Sequence, residues 1–114
     1  MEIRIIKQKI SPEELKSMAK ANYGDMVKGV VDIQKKVLAL GGELHADAEG
    51  VLLKNGSRQE DLWGFNIFPD REKEKRIEYT SLINIRPSHE NFKIEIQSLD
   101  LRSRVKSVID FFIE

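Results

Sequence analysis

GDMVKGVVDIQKKVLALGG, residues 24–42, is the stretch whose reading decides the fold. Met26, Val30, Ile33, Val37 and Leu40 are spaced four, three, four and three residues apart. That is the period of one helix face, and Val27, Val31 and Leu38 widen it to a core-facing side. Asp25 would sit at the positive end of such a helix and Lys35 and Lys36 near its negative end, and Gly41-Gly42 would end it. The same stripe also suits a coiled-coil seam, but a second flanking apolar row fits better a helix lying on a sheet. The stretch therefore predicts a central core helix.

Towards the N-terminus, Ile3 and Ile5 alternate with Glu2 and Arg4, which predicts a first strand over residues 2–8. Ser11-Pro12-Glu13-Glu14 then has the form of a helix start: a capping serine, proline at the first helical position and Glu14 placed to complete a capping box. Leu15, Met18 and Ala19 give that helix a narrow apolar stripe, and Asn22-Tyr23-Gly24 should stop it.

Towards the C-terminus, residues 43–47 alternate, so a strand would turn Leu44 and Ala46 inward and set Glu43, His45 and Asp47 in one row on the other face. A short helix containing Val51, Leu52 and Leu53 follows, capped by Asp47 and stopped at Asn55-Gly56, with a hairpin strand as the alternative. Trp63, Phe65 and Ile67 alternate in a strand ending at Pro69, and the charged run at residues 70–76 reads as a solvated hairpin tip. Ile77, Tyr79, Ile83 and Ile85 predict another strand up to Pro87, and Phe92, Ile94 and Ile96 a last one. Ser98 or Asp100 then starts a C-terminal helix with Leu101, Val105, Val108 and Phe112 on one stripe. The resulting order, β-α-α-β-(α)-β-β-β-α, argues for an α+β domain spanning residues 1–114, with a mostly antiparallel sheet of about five strands and helices on one face.

Composition narrows the function classes. Nineteen basic residues balance nineteen acidic ones, so no long-range field draws the chain to a phosphate backbone or an anionic membrane, and nucleic acid is disfavoured as a partner. The absence of cysteine removes disulfides, thiolate nucleophiles and Cys-ligated metals. No apolar run approaches the ~20 residues of a membrane span, which gives a cytoplasmic expectation. Neither a G-x-S-x-G elbow, an S-x-x-K pair nor a glycine-rich phosphate loop occurs, so phosphoryl transfer and dinucleotide chemistry are disfavoured and no cofactor is called for.

Three constellations remain. Glu43, His45 and Asp47 offer an imidazole beside carboxylates, the material of acid–base catalysis, with Arg86 available to stabilise an anion. A solvated strand face gives the same pattern with no function. His45 and Asp47 with His89 and Glu90 form a sparse nitrogen and oxygen set, too thin to assign a metal. Arg58, Glu60, Asp61 and Trp63 combine a planar cation, two carboxylates and an aromatic face suited to an anionic or peptide ligand, although Trp63 also serves as a core aromatic. Asn66, Asn84 and Arg86 share a strand parity and would gather near His45.

GDMVKGVVDI (residues 24–33), GGELHADAE (41–49), GSRQEDLWGFNIFP (56–69) and SLINIRPS (81–88) together resemble a family of small prokaryotic proteins known only as a domain of unknown function. The resemblance runs from Ile3 to Ser88 and departs from the family's pattern at His89-Glu90-Asn91. It implies no activity, ligand or catalytic residue. The residues themselves point first to a non-enzymatic binding or interaction module for a small molecule or a protein, a second copy of the chain included. A small hydrolase or lyase, with His45 as base and Asp47 or Glu43 orienting it, is the alternative.

Overall fold

The computed structural model describes residues 2–114. Strands β1 (Ile3–Ile6), β2 (Val27–Asp32), β3 (Val37–Gly41), β4 (Leu62–Ile67) and β5 (Ile77–Glu78) form one sheet in the order β1-β3-β2-β4-β5. Every neighbouring pair is antiparallel. With helices α1 (Pro12–Ala21), α2 (His45–Lys54) and α3 (Leu99–Phe112), the chain has the expected α+β class and five-stranded antiparallel sheet. The order of elements differs: it runs β-α-β-β-α-β-β-α.

The largest correction falls on residues 24–42, which form the β2–β3 hairpin and not a helix. Both strands are buried on both faces, so the apolar residues of two strands merge into a run that imitates a helical stripe. Three features favour the hairpin. Val27, Val30, Val31 and Val37 are β-branched and stiff at χ1, which suits a pleated strand better than a helix. Gly29 lies opposite Phe65, where any Cβ would overlap the aromatic ring. Fully buried Asp32 caps the turn: Oδ1 accepts the N–H groups of Gln34 and Lys35 at 2.9 and 2.8 Å, and Oδ2 accepts the Ser57 hydroxyl at 2.6 Å. Lys36 completes the turn in the left-handed region at φ 57°.

The pleat sorts side chains onto two faces. Ile6, Val27, Val31, Leu38, Leu40, Trp63, Phe65 and Ile67 pack with Leu15 and Ala19 of α1 and with Val105, Val108, Ile109 and Phe112 of α3. Val30, Ala39 and Leu62, on the opposite face, pack against Ala48 and Leu52 of α2. Helices therefore cover both faces of the sheet, where one covered face was expected.

Helix starts were more legible. Ser11 Oγ accepts the Glu14 N–H at 3.1 Å, and Ser98 Oγ accepts that of Leu101 at 3.1 Å. The Glu14 carboxylate does not close a capping box; it pairs with Arg4 at 2.9 Å. Residues 43–47 are not a strand: α2 begins at His45, and Asp47 accepts the Leu44 N–H at 3.2 Å. The helical reading of the residues up to Asn55-Gly56 holds.

The two long strands expected over residues 77–86 and 92–97 shrink to β5 and isolated bridges, Thr80 with Glu95 and Arg86 with Asn91. Two buried asparagines stand in for the missing ladder. Asn84 Oδ1 accepts the Gly64 N–H at 2.8 Å, and its Nδ2 donates to the Gly64 and Ile94 carbonyls at 3.0 and 3.2 Å. Asn91 Nδ2 donates to the carbonyls of Asn84, Lys93 and Glu95, and its Oδ1 accepts the Gln97 N–H. Among the described residues no helix is long and apolar enough to cross a membrane.

Candidate functional site

His45 occupies the first turn of α2 and points at the sheet, because the helix periodicity that buries Ala48 and Leu52 also buries the residue three before Ala48. Its Nε2 lies 2.8 Å from the Phe65 carbonyl oxygen, which can only accept, so Nε2 carries the proton. Burial lowers the imidazole pKa, the bond to the Phe65 carbonyl opposes the shift, and the Lys28 charge lowers the pKa further. Glu43 and Asp47 do not join it. Both are exposed; Asp47 caps α2, and the Glu43 backbone carbonyl accepts the Tyr23 hydroxyl. The expected row of three ionisable groups is dispersed because the segment is a helix start.

Asn66 and Asn84 do approach His45. Asn66 lies near enough to oppose the shift of the imidazole pKa but donates to the Thr80 carbonyl at 3.4 Å, and Asn84 is tied to Gly64, where a Cβ would lie 3.2 Å from His45 Cδ2. Arg86 is elsewhere. It donates to the carbonyls of Leu62 at 2.8 Å, Ile83 at 3.2 Å and Glu60 at 3.4 Å, and its guanidinium carbon sits 4.2 Å from the Trp63 ring centroid. Burial lowers its pKa, opposed by the charges of Glu49 and Asp61.

Around Arg86 the structure gathers most of the binding residues expected from sequence. Arg58 pairs with Glu60, Asp61 lies within reach of the guanidinium charge, and buried Trp63 meets His89 edge-on at 6.2 Å. Glu49, Glu60, Arg86, Ser88 and His89 line an open cleft of about 340 Å³ here. Its one arginine is largely spent on backbone carbonyls, so the cleft serves the fold of residues 81–91 first. His45 and Asp47 are not brought to His89 and Glu90, and among the described residues no cluster of three or more histidine and carboxylate groups is arranged to hold a metal ion.

A larger concavity lies on the other side of the sheet, and sequence reasoning missed it. Ile33 and Lys36, held by the Asp32-capped turn, face Ser103, Arg104, Ser107, Val108, Phe111 and Phe112 of α3 across a groove of about 740 Å³. Helical spacing sets Ser103, Ser107 and Phe111 on one row and Arg104, Val108 and Phe112 on the next. Val108 and Phe112 belong to the core stripe, whereas Phe111 is 60% exposed. Neither Lys36 nor Arg104 forms an ion pair among the described residues, and no carboxylate lines the groove. Lys9 adds a third cation, its ammonium 5.1 Å from the Phe111 ring centroid. The one sequence signal for this site was Phe111 itself, a large aromatic lying off the stripe of an amphipathic helix.

Fold and concavities together define a small α+β protein with a five-stranded antiparallel sheet covered on both faces and surface recesses of different chemistry. The chain belongs to the family described as protein of unknown function DUF5674, whose model matches residues 4–112. The match continues through the segment after Ser88, beyond the blocks that carry the sequence resemblance. No curated protein and no solved structure matches the chain.

Proposed function

We propose that the protein is a binding module whose ligand seat is the groove between α3 and the β2–β3 turn, and that the ligand combines an anionic group with an apolar body. One observation carries this reading: two cations without ion-pair partners among the described residues stand beside an apolar floor in a groove of about 740 Å³. Its volume, about 740 Å³, is within the range usual for ligand pockets, and its mixture of an apolar floor with few placed polar groups is their usual make-up. Lys36 supports it further, because a lysine at φ 57° occupies a position that glycine or asparagine would fill with less strain. The hydrolase or lyase alternative finds less support: the His45 Nε2 proton is committed to Phe65, and neither carboxylate of its segment orients the ring.

Anilinonaphthalene sulfonate, an anionic aromatic fluorophore, tests the reading. A saturable fluorescence increase is expected under native conditions, with the affinity falling about tenfold in the Lys36→Ala/Arg104→Ala double variant, roughly 1.4 kcal/mol for two desolvated charge contacts. No saturable increase, or one that the double substitution leaves unchanged, would refute it.

A further inference from the structure

Resting on that reading of the groove, we infer that its occupant is an acidic amphipathic helix of a partner protein. Leu99, Ser103, Ser107 and Phe111 are four residues apart in turn and form one ridge along the exposed side of α3. The two ends of that ridge are large and uncovered, Leu99 at 78% exposure and Phe111 at 60%. Between them stand two serines. The ridge is therefore saddle-shaped, and a second helix crossing it can bring its backbone close at the serines while its side chains rest on the aromatic and aliphatic ends. From Leu99 to Phe111 the ridge is roughly 18 Å long at 1.5 Å per residue, room for one helix to cross.

Charge decides between a helix and a simpler anion. Two cations from separate segments line the groove, Lys36 from the hairpin turn and Arg104 from α3, and Lys9, from the connection between β1 and α1, stands outside the lining with its ammonium over the Phe111 ring. A single carboxylate or sulfonate head seated between Lys36 and Arg104 leaves Lys9, on the Phe111 ring, and the exposed ends of the ridge unanswered. A helix with glutamates or aspartates flanking an apolar stripe can answer them, with its stripe seated on Ile33, Val108 and Phe111. The chain's net charge of zero makes this a local match and not the result of a generally basic surface.

The test uses the full chain and three probes. The first is a fluorescently labelled peptide of roughly 15 residues, long enough for a marginal helix, with leucines at i, i+3, i+4 and i+7 and glutamates beside them. The second is the same composition scrambled to abolish the stripe, and the third is dodecanoate below its micelle concentration. Anisotropy should show saturable binding of the striped peptide, circular dichroism should show that it gains helix on binding, and Lys36→Glu/Arg104→Glu should weaken it at least tenfold. Affinity should also fall as salt is raised. Binding of dodecanoate without the striped peptide would overturn the helix and leave the groove as a ligand seat; silence from every probe would overturn both. Equal binding of striped and scrambled peptides would overturn the helix in favour of unspecific charge attraction. Sedimentation of the protein alone covers the remaining occupant: a dimer that Phe111→Ser dissociates would show that a second copy fills the groove, and would overturn the inference.

Discussion

Asn84 replaces a strand with a side chain. Gly64 points both of its backbone polar groups away from β2, and the Asn84 amide meets each of them with zero exposure. Gly64 has to be glycine for this, since a Cβ would overlap the side chain of Ser81. Substitution of Asn84 by alanine leaves a buried N–H and a buried C=O unpaired, at about 1–3 kcal/mol each, so a loss of about 2–5 kcal/mol is expected by urea denaturation. Asn84→Asp should recover little, because a carboxylate keeps the acceptor but loses both donations. His45 gives a second prediction at this scale. Its pKa is lowered in the folded protein, so the unfolded chain binds the proton more readily. Stability from this group is present above the unperturbed value of about 6.5 and declines as pH falls below it towards the folded value. Denaturation midpoints should drop between neutral and mildly acid pH in the native chain, and the His45→Gln variant should show a flatter profile over that window.

Among elements, α3 and the β2–β3 hairpin carry the most consequence. Just beyond the end of α3, buried Arg76 donates to the backbone oxygens of Ile113 and Glu114 at 2.7 Å each while pairing with Asp110 at 3.1 Å. Removing that side chain leaves two backbone oxygens without their donor and Asp110 with Lys106 alone, so Arg76→Ala should cost about 3 kcal/mol and expose the C-terminus to early hydrogen exchange. In the hairpin, Lys36→Gly should raise stability by up to about 1 kcal/mol by relieving the left-handed conformation. The same change should weaken ligand binding, and a gain in both quantities would contradict the role given to Lys36. What the sequence disclosed divides along this line. Helices with a serine cap and one polar face, α1 and α3, were legible because cap and period agree locally. The hairpin was not, since strands covered on both faces lose the alternation that marks a strand, and because Asp32 seals the turn with a side chain instead of a glycine-rich motif. For a different reason the strands after Ile77 were over-read: their alternation is real, but Asn84 and Asn91 spend the backbone partners that a ladder would need.

Over the whole molecule, two recesses on a balanced chain give two readings of function, and only one of them could be seen in the sequence. Glu60 lines the cleft at Arg86, with Arg58 paired to it and Asp61 and Trp63 beside the guanidinium, and these four lie close in sequence, so the candidate set was visible in advance. The groove at α3 joins Lys36 and Arg104, which are distant in sequence and line one recess only when α3 packs beside the hairpin. Its cations vanish into a net charge of zero. The central claim is that binding occurs at this groove. Amide chemical-shift mapping during titration with anilinonaphthalene sulfonate tests it most directly. Shifts concentrated at residues 33–36 and 103–112, with those at 83–89 still, are the predicted result; shifts centred on the Arg86 cleft and His89, or none at saturating ligand, would contradict it.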